Sequence, residues 1–545
     1  ASWSVSTQFN KLGKPSGKKL DELLAELLRD DGAASPSGVI PSTNPIETIV
    51  TGIAYDSRQV EPGDAFFSIE GQKQDGNAFI AQALEKGASC IFSEKQSGPY
   101  AVPLVVVDDV REAMARVSDY LYERPSTRLR LLGVTGTNGK TTTTHLIEHI
   151  LNFHGHKCGL VGTLGARLPI YEEEDGRPVF KGKSEYLDVH HTTPQACDLQ
   201  ALLHTMADRG LTHVAMEVSS HALALKRVLG TNFASACLTN ITQDHLDFHK
   251  TMEHYYRSKR ILFEMLNTNK TGKAVAVVNL DDALAQEFIN ATGKDVELLT
   301  YGKNPEASIH PRQFHFDFRG TTLCLATPHG DIEFSTRLTG EFNLYNVMAA
   351  MAVCLGEGLT KEQVASALKD FGGVSGRFEV VPPPSGSERQ PLCIVDYAHT
   401  PDGLENVLKA ARALVENQGS GRLIAVFGCG GDRDSSKRPQ MGEIAENLAD
   451  LVVVTSDNPR SEEPQQIIAD ILAGIKRLKD VTVEADRAKA IAEAVKMARA
   501  EDVVLIAGKG HETYQILKDR TIDFDDRIEV ANALKQRTDI IKIEK

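Results

Sequence analysis

Residues 128–154 read RLRLLGVTGTNGKTTTTHLIEHILNFH, and this stretch decides the fold. An apolar run from Leu129 to Val134 meets Gly136-Thr137-Asn138-Gly139-Lys140-Thr141-Thr142, after which Leu146, Ile147, Ile150 and Leu151 recur at helical spacing. A buried strand that runs into a glycine loop and then a helix makes a phosphate cradle. Glycine lets backbone N–H groups approach phosphate oxygens, and the helix N-terminus adds its dipole. Lys140 can reach terminal phosphates, and a hydroxyl at Thr141 or Thr142 can complete a magnesium shell. The loop therefore reads as an ATP site. Its spacing departs from the common G-x-x-x-x-G-K-[ST] pattern, because Val134 stands where the first glycine belongs.

The 545-residue chain exceeds a single hydrophobic core and is long enough for about three or four domains. With 41% hydrophobic and 25% charged residues its composition is that of an ordinary globular protein. Its 60 basic and 74 acidic side chains leave a net charge of −14, which argues against a general nucleic-acid or anionic-membrane surface. An acidic protein that handles anionic substrates must concentrate its cations locally. The eight cysteines form no C-x-x-C pair, so buried thiols in a reducing compartment are expected rather than disulfides or zinc. No 18-residue apolar run is present, and no membrane span is expected. The N-terminal ASWSVSTQFNKLGKPSGKK is basic, hydroxyl-rich and without an apolar secretory core, which reads as a processed or extended tail. A cytoplasmic location is expected, or a plastid stroma if that tail is a processed transit region.

Taken in order, residues 1–48 read as an extension and connection. Leu20, Leu23, Leu24, Leu27 and Leu28 give a short helical pattern, and 31–48 is rich in Ser, Pro and Gly. Strand, turn and helix signals alternate over 49–128, which predicts a small α/β domain. Within it, Ser57 and Arg58 could simply cap a turn. A central domain over 129–372 contains His191-Thr192-Thr193-Pro194, taken bare a common helix start. Met216-Glu217 closes an apolar strand-like run ahead of Ser219, and α/β sheets bind ligands at such strand ends. A carboxylate there suits magnesium, although alone it reads as readily as a surface acid. A second such run leads to Asp244-His245, and a lone histidine is more often structural. Lys259, ahead of Ile261-Leu262-Phe263, reads by itself as a solvent-exposed lysine. Asn343 and Asn346 share one face of a helix, which Asn343 could cap.

Over 373–545, strands at 392–395, 423–427, 451–455 and 503–507 alternate with helices, which predicts a Rossmann-like doubly wound parallel sheet. Each strand ends in a polar cluster, where such sheets place ligands. The clusters are Asp396-Tyr397-Ala398-His399, Gly430-Gly431-Asp432-Arg433-Asp434, Asp457-Asn458-Pro459-Arg460 and Gly508-Lys509-Gly510-His511-Glu512. Arg460 has a plainer reading too, a pair with Glu462 or Glu463 on a solvated helix start.

The runs TGTNGKTTT, MEVSSH, DHLDFH, GRFE, DYAHTPDG, GGDRD, DNPR and GKGHE follow one another between about residues 50 and 530. In that order they resemble the Mur ligase family, ATP-dependent amide-forming enzymes of peptidoglycan precursor synthesis. The resemblance implies an α/β chain of three domains: a small UDP-binding domain, a central P-loop-type ATPase domain and the C-terminal Rossmann-like domain. It implies ATP and Mg2+ as cofactors, with Gly136, Thr137, Asn138, Gly139, Lys140, Thr141, Thr142, Asn343, Asn346, Arg377, Asp396 and His399 on the nucleotide. Thr141, Glu217, His245 and an N-carbamylated Lys259 would hold the magnesium ions, and Lys140, Glu217, His245 and Lys259 would carry the chemistry. Tyr55, Ser57, Gln72, Lys73, Gln74, Thr192, Thr193, Ser219 and Arg227 would bind a UDP-N-acetylmuramoyl-dipeptide. Arg433, Asp457, Asn458, Pro459, Arg460, Gly508 and Glu512 would bind meso-diaminopimelate. The implied reaction phosphorylates the γ-carboxylate of the D-glutamyl end, and the diaminopimelate amine then attacks the acyl phosphate. One departure is Leu225, where some homologues present a polar substrate contact, but Arg227 is retained. A monomer is expected.

Three other readings stay open. A lysine-adding sibling would lack the arginine of DNPR, and a folylpolyglutamate synthetase would lack the UDP-binding first domain. A catalytically inactive scaffold in a larger assembly would have lost phosphate-loop, magnesium or acceptor residues that are present here.

Overall fold

The computed structural model describes residues 12–28, 36–40, 47–71, 75–174, 177–187, 189, 191–244, 246–269, 272–317, 320–384 and 390–543. The chain forms two compact units, Ala1–Ala307 with Ala349–Thr360, and Ser308–Met348 with Lys361–Lys545. The stretch 129–372 contributes to both.

In the first unit the strand of the phosphate loop, Arg130–Thr135, lies inside an eight-stranded sheet. Across the sheet the strands run Arg177–Leu187, Gly165–Glu174, Cys158–Gly162, His213–Glu217, Arg130–Thr135, Phe233–Leu238, Val275–Asn279 and Glu297–Tyr301. The six from Cys158–Gly162 onward are mutually parallel, and the other two form an antiparallel hairpin on the edge. Parallel strands are covered on both faces, which is why FASACL at 233–238 and VAVVN at 275–279 are buried at every position.

A smaller five-stranded sheet precedes it, ordered Pro36–Ile40, Leu104–Val107, Cys90–Ser93, Asp64–Phe67 and Gly52–Ala54. Here the structure differs from the sequence expectation of a bare connection over 31–48. Pro36–Ile40 pairs antiparallel with Leu104–Val107, and helix Leu20–Leu27 buries Leu20, Leu23 and Leu27 in the same core as Val105, Val110 and Met114. The Ser/Pro/Gly bias hid a strand whose partner lies far along the chain. Residues 72–74 fall outside the described residues.

The second unit holds a three-stranded antiparallel sheet, His310–Asp317, Gly320–Ala326 and Ile332–Thr336, and a six-stranded sheet. The latter runs Glu379–Val381, Leu392–Asp396, Val503–Ala507, Leu423–Phe427, Leu451–Val454 and Val481–Val483, parallel except for the first strand. Its two faces carry separate cores. Ile394, Ala425 and Leu505 pack with Leu404, Met441 and Ile467, whereas Cys393, Val426 and Val504 pack with Ala490, Ile491 and Val530. This is the expected doubly wound sheet, extended by two short edge strands that propensity did not mark.

Among the described residues no helix is long and apolar enough to cross a membrane. All eight cysteines are free, and all but Cys324 are buried.

One ion pair ties the helices to the strand ends of the six-stranded sheet. Arg487 and Asp526 have fully buried side chains and meet through Nε to Oδ1 and Nη2 to Oδ2, both at 2.7 Å. The same guanidinium donates to the carbonyls of Ser456 at 3.1 Å and Ala507 at 3.0 Å. Removing one partner strands the other charge without water. Asp526→Ala should therefore destabilise the protein by about 3 to 5 kcal/mol in denaturant titration, whereas Arg487→Met with Asp526→Leu should recover most of that loss. Equal losses in the single and double variants would show that the pair does not carry the effect.

Candidate active site

The phosphate loop takes its shape from two glycines and one neighbouring segment. Gly136 has φ +143°, and a Cβ there would stand 1.8 Å from the Thr239 hydroxyl oxygen. Gly139 has φ +86° and caps helix Lys140–Phe153. Both positions need glycine. Thr137 N donates to the Asn240 carbonyl at 2.8 Å, and Asn138 N to Asn240 Oδ1 at 3.0 Å. The Thr137 hydroxyl lies 2.9 Å from that of Tyr255. Lys140 Nζ donates to the carbonyls of Gly136 at 2.9 Å and Thr137 at 2.8 Å, so its charge sits over the loop.

Glu217 ends the strand beside the loop strand, and none of it is exposed. Its Oε2 accepts from the hydroxyls of Thr141 and Thr163, each at 3.1 Å, and its Oε1 accepts from Thr163 N at 2.9 Å. Lys259 is also buried, on helix Met252–Met265. Its Nζ donates to the Gly136 carbonyl at 2.7 Å and lies 4.6 Å from the Tyr255 ring centroid. Burial, reinforced by the charge of Lys140, holds the Lys259 ammonium well below the usual lysine range. The bare expectation of an exposed lysine is thereby overturned. His245 lies outside the described residues, and among those described no cluster of three or more His, Cys, Asp or Glu side chains has the placement to hold a metal ion.

Around Glu217 the structure gathers four of the residues assigned to the dipeptide. Thr192 Oγ1 lies 3.1 Å from Thr163 Oγ1, and the Thr193 hydroxyl donates to the Glu217 carbonyl at 2.9 Å. Ser219 N donates back to Thr193 Oγ1 at 3.0 Å, and Arg227 Nη1 donates to the Thr193 carbonyl at the same distance. Tyr55 reaches this domain from the small sheet, its hydroxyl donating to Asp198 Oδ2 at 2.9 Å. Ser57 turns instead to Gln82 Oε1, at 2.7 Å.

In the second unit Asp396 is buried, and its two oxygens accept from Phe378 N and Ala398 N, each at 2.7 Å. Burial raises its pKa above the usual range, against the pull of Arg377. The Arg377 guanidinium lies 4.8 Å from the Tyr397 ring centroid, and that ring also meets His399 at 4.7 Å and His511 at 4.8 Å. Burial first, then Arg377, lowers the His511 pKa to about 4, so the imidazole is neutral near pH 7. Asn343 Nδ2 donates to the Thr339 carbonyl at 2.8 Å, and its Oδ1 accepts from Asn346 at 3.0 Å, which joins the two amides predicted to share a face.

The C-terminal clusters converge at neighbouring strand ends. Arg460, at φ +51°, donates from Nη1 to the Gly431 carbonyl at 2.8 Å. Its plainer reading does not hold: Glu462 pairs with Arg438 and Glu463 with Lys518. Asn458 Nδ2 donates to Glu512 Oε2 at 2.8 Å. Asp457 Oδ1 accepts from Asn458 N, and a Cβ on Gly508 would stand 2.5 Å from the other Asp457 oxygen. Arg433 lies exposed beside them, its Nη1 3.5 Å from the Asp432 carbonyl.

Several residues of these sites escaped sequence reasoning. Thr163, Asn240, Tyr255 and Asp198 support the first set and Arg487 the second, where Lys509 belongs to a predicted strand-end cluster without an assigned role. Thr163 carried a usable signal, because it follows the apolar run Cys158–Gly162 at a strand's carboxyl end.

Matches to known families cover the chain in three consecutive blocks. The Mur ligase family catalytic domain matches residues 49–122, the Mur ligase middle domain 134–354 and the Mur ligase glutamate ligase domain 376–510. A relative from Gloeobacter violaceus, UDP-N-acetylmuramoyl-L-alanyl-D-glutamate--2,6-diaminopimelate ligase, is 47% identical over 490 residues, or 90% of this chain and 94% of the relative. The ligase of the same name from Synechococcus elongatus is 44% identical over 519 residues, or 94% and 99% of the two chains. A solved structure of a ligase with that name is 32% identical, covers 96% of this chain and 100% of its own, and superposes with a TM-score of 0.65. Family blocks in unbroken order and relatives this similar over nearly their whole length agree with the loop, carboxylate and lysine just described, and the chain belongs to the Mur ligase family.

Proposed function

We propose that this ligase joins meso-2,6-diaminopimelate to the γ-carboxylate of the D-glutamyl end of UDP-N-acetylmuramoyl-L-alanyl-D-glutamate, at the expense of ATP, in peptidoglycan precursor synthesis. The domains divide the work as 49–128 for the UDP-sugar, 129–372 for ATP and 373–545 for the amino acid. Tyr55, Ser57 and Gln72 to Gln74 hold the UDP-sugar, and Thr192, Thr193, Ser219 and Arg227 the peptide. By the family resemblance Asn343, Asn346, Arg377, Asp396 and His399 would also contact the nucleotide. The matched first domain sets this reading apart from a folylpolyglutamate synthetase.

A carboxylate is a poor electrophile, and ATP converts its oxygen into a leaving group. Lys140 stabilises the charge that spreads over the transferred phosphoryl group, and the loop amides hold the phosphates in line. The donor set fits a hard cation: Glu217 and the Thr141 hydroxyl already meet at 3.1 Å, and both present oxygen. Magnesium held by Thr141, Glu217, His245 and Lys259 would neutralise phosphate charge. An ammonium cannot ligate a cation, but burial lowers the Lys259 pKa and so eases loss of its proton, and the free amine can add through Nζ to the carbon of CO2 and release a proton, leaving a carbamate with two oxygens. Lys259→Ala should be nearly inactive and partly rescued by small carboxylates that refill the position. Full activity of that variant would remove the carbamate.

The observation that carries the choice of amino acid is Arg460. Glu462 and Glu463, next to it in the chain, are paired elsewhere, and its planar fork can hold the second carboxylate that distinguishes diaminopimelate from lysine. Arg433, Asp457, Asn458, Pro459, Gly508 and Glu512 frame the same site. Phosphate release should require the UDP-dipeptide and prefer diaminopimelate over lysine. Arg460→Ala should weaken diaminopimelate by roughly 2 to 5 kcal/mol, read as a raised KM, with the KM values for ATP and UDP-dipeptide little changed. Equal effects on all three substrates, or an unchanged preference over lysine, would show that Arg460 is not the selector.

A further inference from the structure

We propose that Lys509 helps to set the choice of amino acid by cancelling the charge of Glu512, an inference that rests on reading the C-terminal cleft as the diaminopimelate site. Lys509 follows strand Val503–Ala507 and has no exposed surface. Its Nζ donates to Glu512 Oε2 at 2.8 Å and to Asn458 Oδ1 at 3.1 Å, and Asn458 Nδ2 donates to the same Glu512 oxygen at 2.8 Å. The three side chains close a ring. Ile516 N donates to Asn458 Oδ1 at 2.9 Å, which fixes the amide so that its NH2 faces the carboxylate.

A lysine ammonium without solvent needs a counter-charge, and Glu512 supplies it. The exposure of the pair is one-sided. The Glu512 side chain keeps 14% of its surface while that of Lys509 keeps none, so the carboxylate faces the cleft with its charge already matched from behind. Glu462 is matched in the same one-sided way by Arg438, while Asp526 is paired with Arg487 wholly out of solvent. With these three carboxylates matched, the acid left acting on Arg460 and Arg433 is Asp432, so the two guanidiniums outnumber it.

This balance favours an amino acid with an extra carboxylate over one without it. Glu512 can still accept a hydrogen bond from a substrate ammonium, which diaminopimelate and lysine both carry. Without Lys509, Glu512 would become an uncompensated anion next to Asp457, and the site would lose its bias against the more cationic lysine. Lys509 is thus a positioning residue that acts through Glu512 and Asn458.

The test compares kcat/KM for meso-diaminopimelate and L-lysine in the full chain with ATP and UDP-dipeptide. In Lys509→Met the ratio should fall by about tenfold or more through the KM for the amino acids, with the KM values for ATP and UDP-dipeptide unchanged. Adding Glu512→Gln to that variant should move the ratio back toward wild type, and Glu512→Gln alone should shift it in the opposite direction. An equal loss for both amino acids, or a double variant that keeps the ratio of Lys509→Met, would reduce Lys509 to a structural role and overturn the proposal. If Lys509→Met does not fold, Glu512→Gln decides alone: an unchanged or lower ratio overturns it. A wild-type chain that releases no phosphate with diaminopimelate would instead remove the reading of the cleft.

Discussion

A carboxylate shut away from water is the constraint on which the nucleotide site depends. Glu217 has no exposed surface, so its charge must be met by donors from the protein or by a cation. Three donors come from Thr141 and Thr163, which fixes the first turn of the loop helix against the end of strand His213–Glu217 and the turn after Cys158–Gly162. The residues proposed for the dipeptide are strung onto the same point, because Thr193 bonds the Glu217 carbonyl and in turn holds Ser219 and Arg227. Phosphate loop, acidic strand end and the Thr193, Ser219 and Arg227 cluster thus share one hydrogen-bonded junction.

The chain is acidic overall, yet its cations are gathered where phosphate and carboxylate chemistry would need them. Lys140 and Lys259 both bond the Gly136 carbonyl, close enough for the first to depress the second. At the strand ends of the six-stranded sheet, Arg487, Arg438 and Lys509 are each buried against a carboxylate. These pairs contribute little net stability for their desolvation cost, but they fix side-chain geometry at the mouth of a cleft.

Legibility followed the range of the interactions. The strand, loop and helix at 130–153 could be read because glycine, lysine and periodic leucines specify them within 25 or so residues of sequence. The parallel strands of the last domain could be read because burial on both faces leaves unbroken apolar runs such as LIAVF at 423–427. Pro36–Ile40 could not, since its pairing with Leu104–Val107 is set by residues more than sixty positions away. The same holds for the site. Glu217, Lys140 and Arg460 carried local motifs, whereas the bonds of Thr163 to Glu217 and of Lys509 to Asn458 appear only when distant strand ends come together. Arg58 shows the converse, for it does bond its neighbour Asp56, as a plain turn would have it.

If the loop at Gly136 to Thr142 binds ATP with Lys140 as its charge partner, nucleotide affinity must depend on that lysine. Isothermal titration of ATP with magnesium into wild type and Lys140→Ala, with the fold of each checked by circular dichroism, tests it most directly. Binding by the wild type and its loss by about tenfold or more in a folded Lys140→Ala, together with phosphate release reduced by a factor of about 10² or more, is the predicted result. Undiminished ATP binding and near-wild-type phosphate release in that variant would contradict it.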